Sequence, residues 1–241
     1  MAFSGQVLDN PVSGERFIFR RTAHDTAGEL LTFDMVVDPH GRVPGGHVHP
    51  TQQESFEVLT GTMKFRKGLR TVIARPGDTV VVPPGDFHKF ANAGDEPALV
   101  RVTVEPALRM EELFETVAKL AEEGRIFRSG LPKPLDLALF MREFEEEVQA
   151  PVAPGLVRAV TAPLAWLANR RGLDQRYAEV PAAAAVRRPV PTHPGAGKVS
   201  GTRPGGARPS PSRPGGAVPA RRRPASARQV GAESPSAAGR R

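Results

Sequence analysis

Two short stretches of this chain place metal-binding side chains at intervals that a β-barrel can bring to one point. The first stretch contains His47, His49 and Glu54, and the second, further along the chain, contains His88. Three imidazoles and one carboxylate form a donor set that suits a single divalent transition metal ion. A fold that joins these residues must therefore bring distant segments together, as a closed β-structure does.

The spacing of the first two histidines is that of neighbours on one face of a strand. Residues two apart on a strand point the same way, so His47 and His49 can chelate one ion while Val48 points away. Pro50 lacks an amide hydrogen and fixes its own φ, which predicts a bend directly afterwards. We expect Glu54 to open the next strand.

The alternation after this bend separates two nearby carboxylates. It places Glu54, Phe56 and Val58 on one face, whereas Glu57 falls on the other. Two carboxylates three residues apart cannot both face one barrel interior. We therefore interpret Glu54 as the ligand and Glu57 as a surface charge.

The second stretch predicts a strand, a turn and a second strand. The β-branched segment 79–82 is typical of a strand, and the Pro- and Gly-rich segment 83–86 predicts a turn. His88 then lies at the start of another short strand. Side chains that could fix the orientation of the imidazoles through hydrogen bonds, or could equally face solvent, are Gln52, Gln53, Asp86 and Asn92.

Both stretches resemble the two sequence motifs of the cupin superfamily. The matching fixed positions are Gly41, His47, His49, Glu54 and Gly61, then Gly77, Pro83, Gly85, His88 and Asn92. The resemblance spans residues 41–92, and strand-like flanks extend it to about 15–105. It implies a mainly β fold, the double-stranded β-helix or small jelly-roll barrel, with His47, His49, Glu54 and His88 as metal ligands. It also implies a homodimer.

Other notable residues have ordinary structural interpretations. His24, His40 and His193 have no ligand partners in the pattern and are expected at the surface or in local hydrogen bonds. Asn92 is expected to close a turn. Four glycines are expected to be turn positions with positive φ: Gly41, Gly61, Gly77 and Gly85.

The composition divides the chain into three parts. We predict a barrel over 1–105, a helical extension over 106–180, packed on the barrel or on a partner, and a disordered tail over 181–241. The tail holds twelve Lys and Arg against one acidic residue, so it carries +11 while 1–180 carries −4. It has no aromatic residue and repeats the sequence RPGGA, and such a segment buries too little apolar surface to fold.

The extension shows helical periodicity. Leu113, Val117, Leu120 and Ala121 form one stripe, with Glu111 and Glu112 near the amino end and Gly124 at the C-cap. A second helix is predicted from Pro134, with its apolar face formed by Leu137, Met141, Phe144 and Val148. A third, over about 156–169, is interrupted by Pro163. Its eleven residues between Arg158 and Arg170 are too few to cross a bilayer, which needs about 20. We favour packing in the core or a dimer over attachment to a membrane surface.

Several classes of function are excluded or disfavoured. The absence of cysteine excludes disulfides, thiolate metal sites and cysteine nucleophiles. The basic tail could bind nucleic acid or anionic membrane, but it lacks interleaved aromatics, so we expect a solvated tail and no specific nucleic-acid partner. The amino-terminal residues lack an apolar run behind a basic start, so we expect a cytoplasmic protein.

The functional hypotheses therefore centre on the metal site. We expect one divalent ion of Fe, Mn, Ni, Cu or Zn, since ligand type alone does not choose among them. The first hypothesis is an enzyme similar to mononuclear cupin oxygenases, acting on a small aromatic or carbonyl compound. The second is a non-catalytic cupin that binds a small molecule, and the third is a cupin isomerase. Inward apolar residues such as Phe56 and Phe90 favour an organic substrate, whereas Lys64, Arg66 or Arg101 turned inward would favour an anionic one.

Overall fold

The computed structural model describes residues 2–43, 45–175 and 177, together with the backbone of Arg228–Gln229. Its strands are β1 (Val7–Asn10), β2 (Glu15–Arg21), β3 (Leu31–Val37), β4 (Gln53–Thr60), β5 (Met63–Lys67), β6 (Arg70–Ala74), β7 (Asp78–Val82), β8 (His88–Asn92), β9 (Ala98–Glu105) and β10 (Arg228–Gln229). Its helices are α1 (Met110–Glu122), α2 (Pro134–Glu143) and α3 (Pro154–Arg170). The predicted tail, 181–241, otherwise lies outside the described residues.

The strands form two sheets. The larger has the order β1-β2-β3-β9-β4-β7-β10 and the smaller has the order β6-β5-β8. All pairs are antiparallel except β7 with the two-residue β10. Neighbours that are distant in sequence, such as β3 and β9, give the crossing connections of a double-stranded β-helix. The predicted mainly β fold, followed by helices, is confirmed.

Period-two alternation builds the core. On β4 the inward residues Glu54, Phe56 and Val58 are buried, as predicted, and Glu57 lies on the outward face opposite Arg101. On β9 the buried residues Val100, Val102 and Val104 continue the same face. A fully buried Val or Phe contributes about 1.5–3 kcal/mol, so this apolar interior is the main stabilising feature of the barrel.

The helical extension shares this core. Phe114 of α1 stacks on Phe17 of β2 at 4.6 Å between ring centroids and meets Phe33 of β3 edge-on at 5.1 Å. Phe140 and Phe144 belong to the same buried cluster. Helices α1 and α2 are therefore joined to the barrel by a common apolar interior.

The helix boundaries correct one prediction. α2 begins with Pro134 at its first turn, as predicted, but ends at Glu143, so Phe144 and Val148 lie beyond it. Its buried apolar residues are Ala138, Leu139 and Phe140. The apolar periodicity continued past the end of the helix because the following turns are also packed against the core.

The third helix is longer than predicted and runs without a break through Pro163. It packs Ala165 and Ala168 against Ala138 and Leu139 of α2. Its outer face leaves large apolar side chains exposed, namely Leu156, Val160 and Trp166. None of the helices in the described part of the chain has the length and hydropathy of a bilayer span.

Candidate metal centre

The two motifs meet through a main-chain bridge between their histidines. The amide of His47 donates to the carbonyl of His88 at 3.0 Å, and the amide of His88 donates to the carbonyl of His47 at 3.0 Å. His88 is the first residue of β8, and Glu54 projects inward from β4. The segment of His47 and His49 is extended but makes only isolated bridges, so it is not a strand of either sheet. Its side chains nevertheless share one face, as the spacing predicted.

The four predicted ligands converge. His47, His49, Glu54 and His88 each offer one ligand atom, and these atoms all lie within 4.8 Å of one another. Glu54 Oε2 lies 2.8 Å from His88 Nε2 and 3.4 Å from His49 Nε2. His88 is fully buried and His49 and Glu54 are nearly so, whereas His47 is partly exposed. The cluster is therefore largely buried, and His47 is its one partly exposed member.

The inward atoms of this cluster lack hydrogen-bond partners. His49 Nε2, His88 Nε2 and Glu54 Oε2 are buried and none makes a hydrogen bond of acceptable geometry, although two of them are only 2.8 Å apart. Burying a polar atom without a partner costs about 1–3 kcal/mol. A cation at their common centre would satisfy all three at once, and nitrogen with carboxylate oxygen is a donor set for divalent transition metals. The residues present fit such an ion.

The local electrostatics also favour a cation. Burial, followed by the neighbouring imidazoles of His88 and His49, lowers the pKa of His47 to about 3. For Glu54, burial acts to raise the pKa, but the neighbouring imidazoles of His49 and His88 outweigh it and hold the pKa well below its usual value. At neutral pH, Glu54 is therefore a carboxylate and His47 a neutral imidazole. Both are in the protonation states that bind metal.

Comparison with known proteins identifies one matched segment of the chain. The model of the cupin domain family matches residues 33–105, the segment that holds all four residues. This segment of the chain is a cupin domain. A search of curated proteins found no match to it.

Solved structures similar to this cupin include three bacterial proteins. KdgF from Halomonas sp. is 16% identical, with 44% of this chain and 90% of that chain covered and a TM-score of 0.39. A predicted oxalate decarboxylase from Thermotoga maritima is 19% identical, with 42% and 90% covered and a TM-score of 0.38. An RmlC-like cupin from Shewanella frigidimarina is 18% identical, with 46% and 94% covered and a TM-score of 0.37.

In this cupin, main-chain carbonyls hold the outer nitrogens of the imidazoles. His49 Nδ1 donates to the carbonyl of Glu147, and His88 Nδ1 lies 3.3 Å from the carbonyl of Asp86. A hydrogen bond at one ring nitrogen fixes the tautomer and leaves the other nitrogen free to bind an ion.

The four side chains expected near the site behave differently from one another. Gln52 is fully buried, and its Nε2 donates to the carbonyls of Pro106 and Ala107. Gln53 is exposed. Asp86 approaches the site through its carbonyl, while its carboxylate lies 3.4 Å from Lys67 Nζ.

Asn92 closes a turn, as predicted. Its Nδ2 donates to the carbonyls of Val37, Asp38 and Glu96. It therefore fixes the chain at the end of β8.

The motif glycines serve two different purposes. Gly61, Gly77 and Gly85 have positive φ, as predicted. Gly41 does not, and that prediction is corrected: a Cβ there would lie 2.9 Å from the carbonyl oxygen of Asp38. Gly41 is required by close backbone approach. Steric crowding of this kind leaves no sign in the local sequence.

Near the site, aromatic side chains point inward and cationic side chains point outward. Phe56 and Phe90 are buried, and the Phe56 ring lies 6.3 Å from the His88 ring. Lys64, Arg66 and Arg101 are exposed and point outward, and Arg101 pairs with Asp34 at 2.9 Å. The interior around the four predicted ligands is therefore apolar on the side of Phe56 and Phe90. His24 and His40 are exposed, and His193 lies outside the described residues.

Sequence reasoning missed Glu147. It lies beyond α2, far from both motifs, yet it is 2% exposed and its carbonyl accepts the hydrogen bond of His49. Every residue has a carbonyl, so no residue type announces this role. The burial of Glu147 is visible only in the structure, so no signal in the sequence could have identified it.

Proposed function

We propose that this cupin binds one divalent transition metal ion through His47, His49, Glu54 and His88 and is a metal-dependent enzyme of the oxygenase type. The observation that carries the proposal is the set of buried, unpartnered atoms His49 Nε2, Glu54 Oε2 and His88 Nε2 within one cluster. Buried polar atoms without hydrogen-bond partners are rare in folded proteins, so we expect a bound ligand here. All three atoms are of types that bind metal ions.

The residues around the ion would perform distinct tasks. The carboxylate of Glu54 would offset one positive charge, and the imidazoles would supply nitrogen donors, two of which are oriented by carbonyls. Four protein ligands on an ion that accepts six leave two positions for substrate and a second small molecule. Iron(II) at such a centre supplies activation of dioxygen, and Mn, Ni, Cu or Zn would supply other reactions.

The surroundings support a small organic substrate. Phe56 and Phe90 form an apolar, water-poor wall behind the ligands, and the cationic side chains of Lys64 and Arg66 point away from it. His47 is the partly exposed member of the cluster, so a molecule would reach the open positions from its side. An aromatic or carbonyl compound with one oxygen directed at the ion fits these surroundings better than a polyanion does.

The test has two stages. Elemental analysis of protein purified without added metal identifies the ion, and about one equivalent of a transition metal per chain is expected. Oxygen consumption by the iron-loaded protein is then followed with a panel of small phenolics and diketones. The control is His88→Ala, which should lose both metal and oxygen uptake. Persistent silence from a metal-loaded protein that binds panel members tightly would replace the oxygenase with a non-catalytic binding protein.

A further inference from the structure

We propose that the segment 144–149, which follows α2, is a working part of the metal centre, because it positions His49 for the ion. The inference rests on the proposed metal site and extends it to residues outside the matched domain. If the segment has this role, metal affinity and coordination geometry depend on both the barrel and the extension. The segment 144–149 is called the clamp below.

The direct contact is the hydrogen bond from His49 Nδ1 to the carbonyl of Glu147. With its proton on Nδ1, the imidazole presents the Nε2 lone pair to the cluster, where Nε2 lies 3.4 Å from Glu54 Oε2. Rotation of the ring or a change of tautomer would lose this bond and leave the carbonyl of Glu147 without its donor. The clamp thereby selects one orientation and one tautomer of His49.

A second contact fixes the register of the clamp against the ligand segment. The amide of Gln149 donates to the carbonyl of Val48 at 2.8 Å, and the amide of Val48 donates to the carbonyl of Gln149 at 3.0 Å. Val48 separates the two ligands His47 and His49, and its main chain therefore sets where both side chains begin. These two hydrogen bonds form a β-bridge, which holds the clamp beside the segment that carries His47 and His49.

The clamp is itself anchored to the extension. The amide of Val148 donates to the carbonyl of Phe144 at 2.8 Å, and Phe144 is buried in the shared core. The carboxylate of Glu147 accepts from the amide of Arg109 at 3.1 Å, which ties it to the residue preceding α1. These contacts restrict the carbonyl of Glu147 to one position, so the hydrogen bond to His49 is pre-arranged.

The other end of the ligand segment is held in the same way. Gln52 is fully buried, and its Nε2 donates to the carbonyls of Pro106 and Ala107, where the barrel passes into the extension. The chain from Val48 to Gln52 is therefore attached to the extension at both ends. Attachment at both ends is expected of a segment whose position is fixed by the extension.

The experiment removes one amide hydrogen in the full-length chain. Gln149→Pro deletes the donor to the carbonyl of Val48, whereas the control Ala153→Pro introduces proline at an exposed residue outside the clamp whose φ of −53° already suits it. Cobalt(II) is the probe, and the dissociation constant from calorimetry is read with the visible d–d spectrum. We expect Gln149→Pro to weaken cobalt binding about 10–100-fold and to change the spectrum. Ala153→Pro should match the wild type in both readouts.

The outcomes separate this inference from the proposed function. Absence of cobalt binding by the wild type would overturn the metal site and the clamp together. Equal affinities and spectra for the wild type and a folded Gln149→Pro protein would overturn the clamp alone. A measurement on the wild type does not depend on the folding of a variant: ¹⁵N NMR of the zinc-loaded protein should show the proton of His49 on Nδ1 and the metal on Nε2. The opposite assignment would also overturn the clamp.

Discussion

His47 and His88 are joined main chain to main chain, each amide donating to the other's carbonyl at 3.0 Å. Because backbone groups form this bridge, the convergence of the two motifs is built into the fold before any ion arrives. A pre-arranged site binds an ion with little rearrangement, so the binding energy adds to the stability of an already folded chain. Small domains that fold only around zinc behave differently.

The first prediction concerns metal removal. We expect the metal-free protein to remain folded, since the core cluster needs no ion, and to gain about 2.7 kcal/mol in free energy of unfolding when free metal reaches 100 times its dissociation constant. His88→Ala should abolish this gain, and His24→Ala, which changes an exposed histidine, should retain it. Urea unfolding of each protein with and without zinc measures the difference. An undiminished gain in His88→Ala would remove His88 from the ligand set.

The second prediction uses two motif glycines as a matched pair. Gly61 and Gly77 both have positive φ, but a Cβ at Gly61 would lie 2.7 Å from Ala98 Cα, whereas a Cβ at Gly77 would meet nothing within 4 Å. Gly77→Ala should therefore cost only the left-handed conformation, about 1–2 kcal/mol. Gly61→Ala should cost clearly more, because backbone must move as well. Equal losses of unfolding free energy in urea would contradict the steric argument.

Particular residues show how far the sequence alone leads. Alternation assigned Glu54 inward and Glu57 outward because period two on a half-buried strand is a local property. The spacing of His47 and His49 likewise predicted a shared face. The role of Gly41 and the carbonyl of Glu147 were not predictable, because close backbone approach and main-chain hydrogen bonds depend on which distant segments meet. The end of α2 at Glu143 was missed since packing, not helical structure, buries Phe144.

The third prediction concerns the stability of the protein as a function of pH. Burial raises the pKa of Glu15 to about 7, and a hydrogen bond with Ser13 offsets this only in part. The folded state therefore holds this proton more tightly than the unfolded chain does. Stability should be unaffected by Glu15 below pH 4.5, should fall as the pH rises from 4.5 to 7, and should stay reduced above 7, by at most about 3 kcal/mol.

Glu15→Gln isolates this contribution, because the amide cannot ionise. The variant should gain stability relative to the wild type between pH 5 and pH 8 in urea unfolding, while Glu29→Gln, at an exposed position, should follow the wild type. An unchanged pH slope in Glu15→Gln would mean that Glu15 is not the buried acid responsible.

The last prediction contrasts two arginine–carboxylate pairs of the extension. Arg125 Nη2 lies 2.7 Å from Asp136 Oδ2, and the Asp136 side chain is 1% exposed. Arg158 Nη2 lies 2.8 Å from Glu145 Oε1, but there the side chains are 69% and 40% exposed. Removing the partner of a buried charge leaves it uncompensated, at a cost of about 3–5 kcal/mol, whereas an exposed pair is screened by water. Arg125→Ala should thus be strongly destabilising and Arg158→Ala nearly neutral.

A second substitution tests whether Arg125→Ala loses stability through the unpaired charge or through lost packing. If the loss in Arg125→Ala comes from the unpaired carboxylate, then Asp136→Asn in that background should recover part of it, because a buried amide costs less than a buried charge. Thermal unfolding of the single and double variants measures the recovery. A double variant less stable than Arg125→Ala would show instead that the carboxylate of Asp136 stabilises the start of α2 without Arg125, through the helix dipole at its first turn.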